Sequence, residues 1–156
     1  MKLDIGAGNS PKQGFKSVDK YTSADYNADM TSLPFPDESI EEIYTSHALE
    51  HLPKREVLVA LCEMYRVLEF DGLLTIIVPD LEWCMKAYLV SHDKVGFSLD
   101  AIYGNQEHEG EFHKTGFCLD ELRSLIFSNG FELIEDKYIQ DHGVQSIYIK
   151  AKKWKE

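Results

Sequence analysis

The chain has 156 residues, 44% hydrophobic and 28% charged, the make-up of one globular domain with enough chain to bury a core. Its formal net charge of −11 argues against a broad nucleic-acid surface, because phosphate binding needs clustered Lys and Arg. No apolar run suffices to span a bilayer, and "MKLDIG" enters a strand-like pattern without an apolar leader, so a cytoplasmic location is expected.

Three cysteines, Cys62, Cys84 and Cys118, are odd in number and lack paired spacing, so free thiols are expected. The one basic cluster, "KAKKWKE" at the end, reads as a solvated strand end.

In chain order, "KLDI" (2–5) is a short apolar strand that runs into a glycine turn. "KSVDK" (16–20), a very short "YNADM" (26–30) and "EEIYTSH" (41–47) read as the next three strands. "KREVLVALCEMYRVL" (54–68) repeats apolar residues at Val57, Leu61, Met64 and Leu68, the period of a helix. "LLTIIVP" (73–79) is a continuous, β-branched apolar run, as in a strand buried on both faces of a parallel sheet. A second amphipathic pattern runs through Leu81, Cys84, Met85, Tyr88 and Leu89.

Residues 91 to 117 are less regular and carry His92, His108 and His113. Within them "GNQEHEGEFHKTGF" (104–117) is polar and long enough to lie as a lid over the end of the fifth strand. "LDELRSLIFSNG" (119–130) is a helix with acidic residues in its first turn and Gly130 at its stop. "FELIEDKYI" and "QSIYIKAKKW" close the chain as a hairpin, with Gly143 in the turn. Strands alternating with helices predict an α/β fold with a mainly parallel sheet and an antiparallel C-terminal hairpin strand, in one domain over residues 1–156.

Ligands of such sheets sit beyond the carboxyl ends of the strands, and the chemistry-bearing residues fall there. "LDIGAGNSP" ends a strand at Asp4 and follows with Gly6 and Gly8, which let backbone approach a ligand closely. The third glycine of a dinucleotide fingerprint would stand at position 11, where the chain has Pro11, which counts against NAD or FAD. Asp19, at the end of the second strand, is placed to accept both hydroxyls of a ribose, and Asp29 ends the third.

"SHALEH" (46–51) raises a separate question, because His47, Glu50 and His51 have the spacing of an inverted zinc-peptidase signature. That chemistry needs both histidines on one uninterrupted helix. Pro53 turns Leu52 away from helical geometry and is expected to open the next helix as its first residue. The block then reads as a strand-end loop, and no metal is expected. His108 and His113, five residues apart, make a weak metal pair by themselves.

The series "LDIGAGNSP", "VDK", "ADMTSLPFPDESIEEIYTSHALEHL", "EMYRVLEFDGLLTIIVPDLE" and "LDELRSLIFSNGFELIE" resembles the class I S-adenosylmethionine-dependent methyltransferases, and within them the small methyltransferase-11-type subgroup with shortened first helices. The resemblance runs in order along nearly the whole chain. It implies a Rossmann-like three-layer sandwich, with S-adenosylmethionine as cofactor. Asp4, Gly6, Ala7 and Gly8 would line its methionine and ribose part, and Asp19, with Lys20 beside it, the ribose hydroxyls. Asp29 and Met30 would flank adenine, while Ser46 and His47 would face the methionine end. The chain departs from the family at Pro11 and at "EFDG" (69–72), where a Lys-Pro-Gly-Gly-like turn is usual.

The expected function is methyl transfer to a small-molecule or glycan- or lipid-precursor acceptor. His47, His51 and His113 are the candidate catalytic bases, and Glu50 and Lys114 the acceptor-binding residues; a similar His-Lys pair in the family supports His113 and Lys114. A structural role for His51, pinning its loop to the next helix, is the competing reading. The rival functions are a non-catalytic cofactor-binding or partner protein, a nucleotide-dependent oxidoreductase and a zinc hydrolase. Because almost no helix separates the first three strands, one edge of the sheet is expected to be thinly covered, which suggests a homodimer.

Overall fold

A computed structural model describes residues 1–91 and 97–154; His92 lies outside the described residues. Seven strands form one sheet in the order β3-β2-β1-β4-β5-β7-β6. They are β1 (Lys2–Ile5), β2 (Lys16–Asp19), β3 (Tyr26–Asn27), β4 (Ile40–Ser46), β5 (Leu68–Pro79), β6 (Phe131–Asp141) and β7 (Val144–Lys153). The pairs from β3 to β5 are parallel, and β7 lies antiparallel between β5 and β6. The helices are α1 (Lys54–Val67), α2 (Leu81–Ser91), α3 (Phe97–Tyr103) and α4 (Leu119–Ser128). This is the Rossmann-like α/β fold with an antiparallel closing hairpin.

β5 owes its central place to its sequence. Leu74, Ile76 and Val78 are fully buried, and Thr75 and Ile77 on the alternate face are nearly so. Helix α1 turns Val57, Ala60, Leu61, Met64 and Val67 inward, and α4 adds Leu122 and Ile126 to the same core. Tyr65 meets Phe131 edge-on at 5.4 Å between centroids. The hairpin turn is His142–Gly143, both at positive φ (49° and 80°) between the paired Asp141 and Val144, as a two-residue primed turn requires.

Where a helix would ordinarily cover β1 to β3, the segment after β3 supplies the packing. Leu33 and Phe35 of "LPFPD" are buried, and Tyr26 stands edge-on to Phe35. Arg66 of α1 grips this segment through the carbonyls of Leu33 and Phe35 and the carboxylate of Asp37. Glu63 accepts from the Leu33 amide and pairs with Arg66. The motif is thus a packing device, its apolar residues inserted and its backbone held by two side chains of one helix.

Several expectations need correction. Strand β5 begins at Leu68 and takes in "EFDG", with Asp71 at a φ of 61° and a shift in the register to β4. Helix α3 lies inside a stretch that lacks helical periodicity. Lys153, expected in solvent, is 3% exposed: its ammonium donates to the Leu68 carbonyl at 2.9 Å and lies over the Tyr65 and Phe70 rings. Pro53 caps α1 rather than opening it, and "LEH" (49–51) is a single 3-10 turn. With His47 before that turn, the two histidines share no helix, which removes the peptidase arrangement.

Candidate functional site

A cavity of about 500 Å³ opens beyond the carboxyl ends of β1, β2 and β4. Gly6, Gly8, Asp19, Lys20, Asp29, Met30, His47, His51 and Lys114 line it, all of them anticipated from sequence. Asp4, Ala7, Ser46, Glu50 and His113 do not reach its wall. Asp4 is buried and accepts the Lys12 amide at 2.7 Å, so it braces the glycine loop from behind. Burial holds its carboxyl above the usual carboxylate range against that hydrogen bond.

The loop after β1 is shaped for close approach. Gly6 has a φ of 73°, and a Cβ there would stand 2.3 Å from the Ala48 Cβ. Gly8 has a φ of 55°, and a Cβ there would project into open space. One glycine therefore serves the packing of the loop, and the other keeps backbone bare toward the cavity.

Asp19 fastens the loop to the turn after β2. Oδ1 accepts the amides of Tyr21 and Thr22, both at 2.8 Å, and Oδ2 accepts that of Gly8 at 2.9 Å. Burial would raise its pKa, but the Thr22, Gly8 and Tyr21 amides outweigh burial and hold it below the ordinary value. Of a carboxylate's roughly four acceptor positions, backbone amides take three, two on Oδ1 and one on Oδ2. Asp29 is held between the Lys20 ammonium at 2.8 Å and the amide and hydroxyl of Thr31. Those partners overcome burial and lower its pKa. Ala28, Met30 and Leu52 give the same region an apolar wall, and a group with a flat ring and a hydroxylated sugar fits such a mixture.

His47, His51, residues 108–111 and Lys114 complete the lining, with the His108 ring 6.5 Å from that of Tyr21. His47 has a φ of 50°, unusual for a residue with a Cβ and of the kind that clusters at functional sites. Its Nε2 is 3.2 Å from Asp141 and its Nδ1 3.4 Å from Glu50. Burial disfavours its charged form, yet Glu50 and Asp141 outweigh burial and raise its pKa. His47 thus lies between two carboxylates that favour its charged form.

His51 differs. Its Nδ1 is 3.3 Å from the Phe112 carbonyl, which can only accept, so Nδ1 carries the proton and Nε2 keeps its lone pair. His113 is tied in the same way, Nδ1 to the Ala101 carbonyl at 3.1 Å, and burial holds its pKa below the ordinary value. The two rings stand edge-on, 4.9 Å between centroids. Glu50 is 2% exposed, and its backbone carbonyl accepts the amides of Lys114 at 2.7 Å and Thr115 at 3.1 Å. Burial would raise its carboxyl, but His47 and then His51 hold it below the ordinary value.

Sequence reasoning missed Asp141, Tyr21, Thr22 and Glu56. Asp141 lies 94 residues from His47, at the end of a hairpin strand, and has no local signal. Tyr21 and Thr22 act partly through backbone amides, which side-chain chemistry does not announce.

Residues 3–76 match the family model described as a methyltransferase domain. No curated protein matches the chain. Among solved structures, a Methanosarcina mazei protein described as a SAM-dependent methyltransferase aligns with a TM-score of 0.71 at 20% identity, covering 99% of this chain and 92% of that one. A Burkholderia thailandensis 1,6-didemethyltoxoflavin-N1-methyltransferase, solved with that compound and S-adenosylhomocysteine, gives 0.70 at 15% identity, covering 99% and 71%. A Thermotoga maritima protein described as a possible histamine N-methyltransferase gives 0.69 at 18%, covering 97% and 81%. At these identities the structural likeness is one of fold, and the family match covers the glycine loop, the three strand-end aspartates and the "SHALEH" block. Residues 3–76 thus match a methyltransferase domain, just under half of the chain, and nearly the whole chain shares the fold of S-adenosylmethionine-dependent methyltransferases.

Proposed function

We propose that the chain methylates a small-molecule or glycan- or lipid-precursor acceptor held on the histidine side of the cavity. The observation that carries this reading is that one cavity gathers bare glycine backbone, Asp19, Asp29 and Met30 together with His47, His51 and Lys114. S-adenosylmethionine, when bound, supplies a methyl group already activated on a sulfonium. The protein's part is then chiefly to bring the acceptor into line and keep the encounter dry.

On the cofactor side, Gly6 and Gly8 would admit the methionine and ribose portion and Asp19 one ribose hydroxyl, with Asp29 and Met30 at the adenine. Asp4, Ala7 and Ser46 would act from behind the wall, by shaping the loop and the strand end. On the acceptor side, His47, whose charged form Glu50 and Asp141 favour, would attract an electron-rich acceptor, and His51 would offer its Nε2 lone pair toward an acceptor proton. Lys114, paired with Glu109 at 3.3 Å, is placed to touch acceptor oxygen atoms. His113 and Glu50 support His51 from behind. The Burkholderia protein, of the same fold, was solved with a small heteroaromatic compound bound, which supports a small-molecule acceptor here.

Transfer of labelled methyl from S-adenosylmethionine to a panel of small hydroxyl and amine acceptors and nucleotide-linked sugars tests the reading. Product is expected with at least one of them and should be lost in Gly8→Ala. Firm S-adenosylhomocysteine binding with no product from any acceptor class would favour a non-catalytic role.

The short, partly exposed edge strand β3 also supports a homodimer. Light scattering at high protein concentration should give twice the chain mass, and a strictly monomeric species would oppose it.

A further inference from the structure

Glu50 presents a problem that methyl transfer does not solve. It is 2% exposed, and neither carboxylate oxygen has a hydrogen bond. His47 stands near Oε1, at 3.4 Å and without hydrogen-bond geometry. A buried carboxylate that accepts no hydrogen bond is costly, and its nearby ion-pair partner His47 reaches only Oε1.

What surrounds it is chemically specific. One ligand atom from each of Glu50, His51 and His113 lies within 4.8 Å of the other two. Both histidines donate Nδ1–H to backbone carbonyls, of Phe112 and Ala101, so both lone pairs are on Nε2. This is how proteins orient metal-binding imidazoles: the outer hydrogen bond fixes the tautomer and raises the basicity of the free nitrogen. Backbone bonds hold the arrangement. Lys114 and Thr115 amides fasten to the Glu50 carbonyl, the Thr115 hydroxyl to that of Leu52, and the His113 amide to that of Tyr103. A small void lined by Glu50, His113, Ala101 and Thr115 adjoins the carboxylate.

We propose that Glu50, His51 and His113 bind a divalent transition-metal ion of the zinc class. Two imidazoles and one carboxylate suit such an ion, and they leave coordination positions open, as in catalytic rather than structural sites. At metal–ligand distances of about 2.0–2.2 Å, tetrahedral ligand atoms stand roughly 3.5 Å apart, so the cluster closes by about an ångström at most. His51 lines the cavity while Glu50 and His113 stand behind it, so the open positions face the acceptor side. There an oxygen of the acceptor would complete the shell, and His51, with its Nε2 lone pair on the ion, would act as a ligand in place of a base. That last step rests on the methyl-transfer reading; the metal assignment does not.

The other cluster, His47, Asp141 and His142, offers no comparable vacancy, because Asp141 already pairs with both histidines. His142 is exposed in the hairpin turn.

Protein stripped with a chelator should be titrated with Zn²⁺ by calorimetry and with Co²⁺ by visible absorption, with S-adenosylhomocysteine binding measured on the same sample. One ion per chain is expected, with the intense visible bands of low-coordinate Co²⁺. Glu50→Gln and His113→Gln should each weaken binding at least about 100-fold, and His142→Gln should leave it unchanged. Should either ligand variant misfold, wild type decides: Zn²⁺ should protect His51 and His113, and not His142, from carbethoxylation mapped by mass spectrometry. Absence of uptake in folded protein that binds S-adenosylhomocysteine would overturn the metal site and leave the methyltransferase reading intact. Uptake that survives both ligand variants, or is lost in His142→Gln, would overturn the assignment to these residues. Zn²⁺ uptake without S-adenosylhomocysteine binding would uphold the site and count against the cofactor assignment.

Discussion

At the scale of single residues, the loop after β1 assigns different work to two glycines two positions apart. Gly6→Ala would drive a Cβ to 2.3 Å from that of Ala48 at a φ of 73°. The expected cost is about 2–3 kcal/mol of stability, from overpacking and backbone strain together. Thermal or denaturant unfolding measures it, and an unchanged midpoint would show that the loop yields freely. His47 gives a pH-dependent prediction. Glu50 and Asp141 raise its pKa above 6.5, so its contribution to stability is full below that value and fades as pH rises through the raised one. Glu50, lowered from 4.5, acts in reverse, and its contribution is lost as pH falls through its folded value. His113, lowered from 6.5, also loses its contribution toward acid, which is why a difference measurement is needed. In metal-free protein the melting-temperature gap between wild type and His47→Gln should be widest near about pH 5.5 and shrink toward about pH 8.5. A constant gap would mean that Glu50 and Asp141 do not raise the pKa of His47.

At the scale of elements, the structure separates what a motif looks like from what it does. "LPFPD" helped identify the family, yet its residues pack and anchor: Leu33 and Phe35 enter the core while Arg66 and Glu63 hold the backbone. Arg66→Met should destabilise by about 2 kcal/mol, through charged hydrogen bonds lost and two carbonyls left bare. A chemical denaturation curve gives the number, and a loss below about 0.5 kcal/mol would show the contacts to be idle. Strands and the long helices were legible because apolar period and length leave little choice: α1 was off by a residue, and β1 matched. Helix α3 was not legible, since its seven residues make barely two helical turns. Lys153 misled because a lysine run reads as solvated, whereas the β7 register turns one of its members inward beneath two rings. The candidate site was read well where side chains lie at strand ends, as at Asp19 and Asp29. It was read poorly where backbone amides or distant chain contribute, as at Thr22 and Asp141.

At the scale of the whole molecule, the sheet order brings the ends of β1, β2 and β4 together around one cavity, and the antiparallel hairpin carries Asp141 to His47 from the far side. The "SHALEH" block is where the two halves meet. Its His47 and His51 face the cavity, and Glu50 faces inward to His113. Charge is shared around that cavity: backbone amides or Lys20 lower the pKa values of Asp19 and Asp29, and two carboxylates raise that of His47.

The measurement that bears most directly on this account is calorimetric titration of S-adenosylhomocysteine into wild type and into Gly8→Ala. A Cβ at Gly8 meets nothing in the protein, so the variant should stay folded at a cost of about 1 kcal/mol from its positive φ. The account predicts one site per chain in wild type and an affinity at least about tenfold weaker in Gly8→Ala, equivalent to about 1.4 kcal/mol. Equal affinity in the two proteins, or no binding by folded wild type freed of retained ligand, would contradict it.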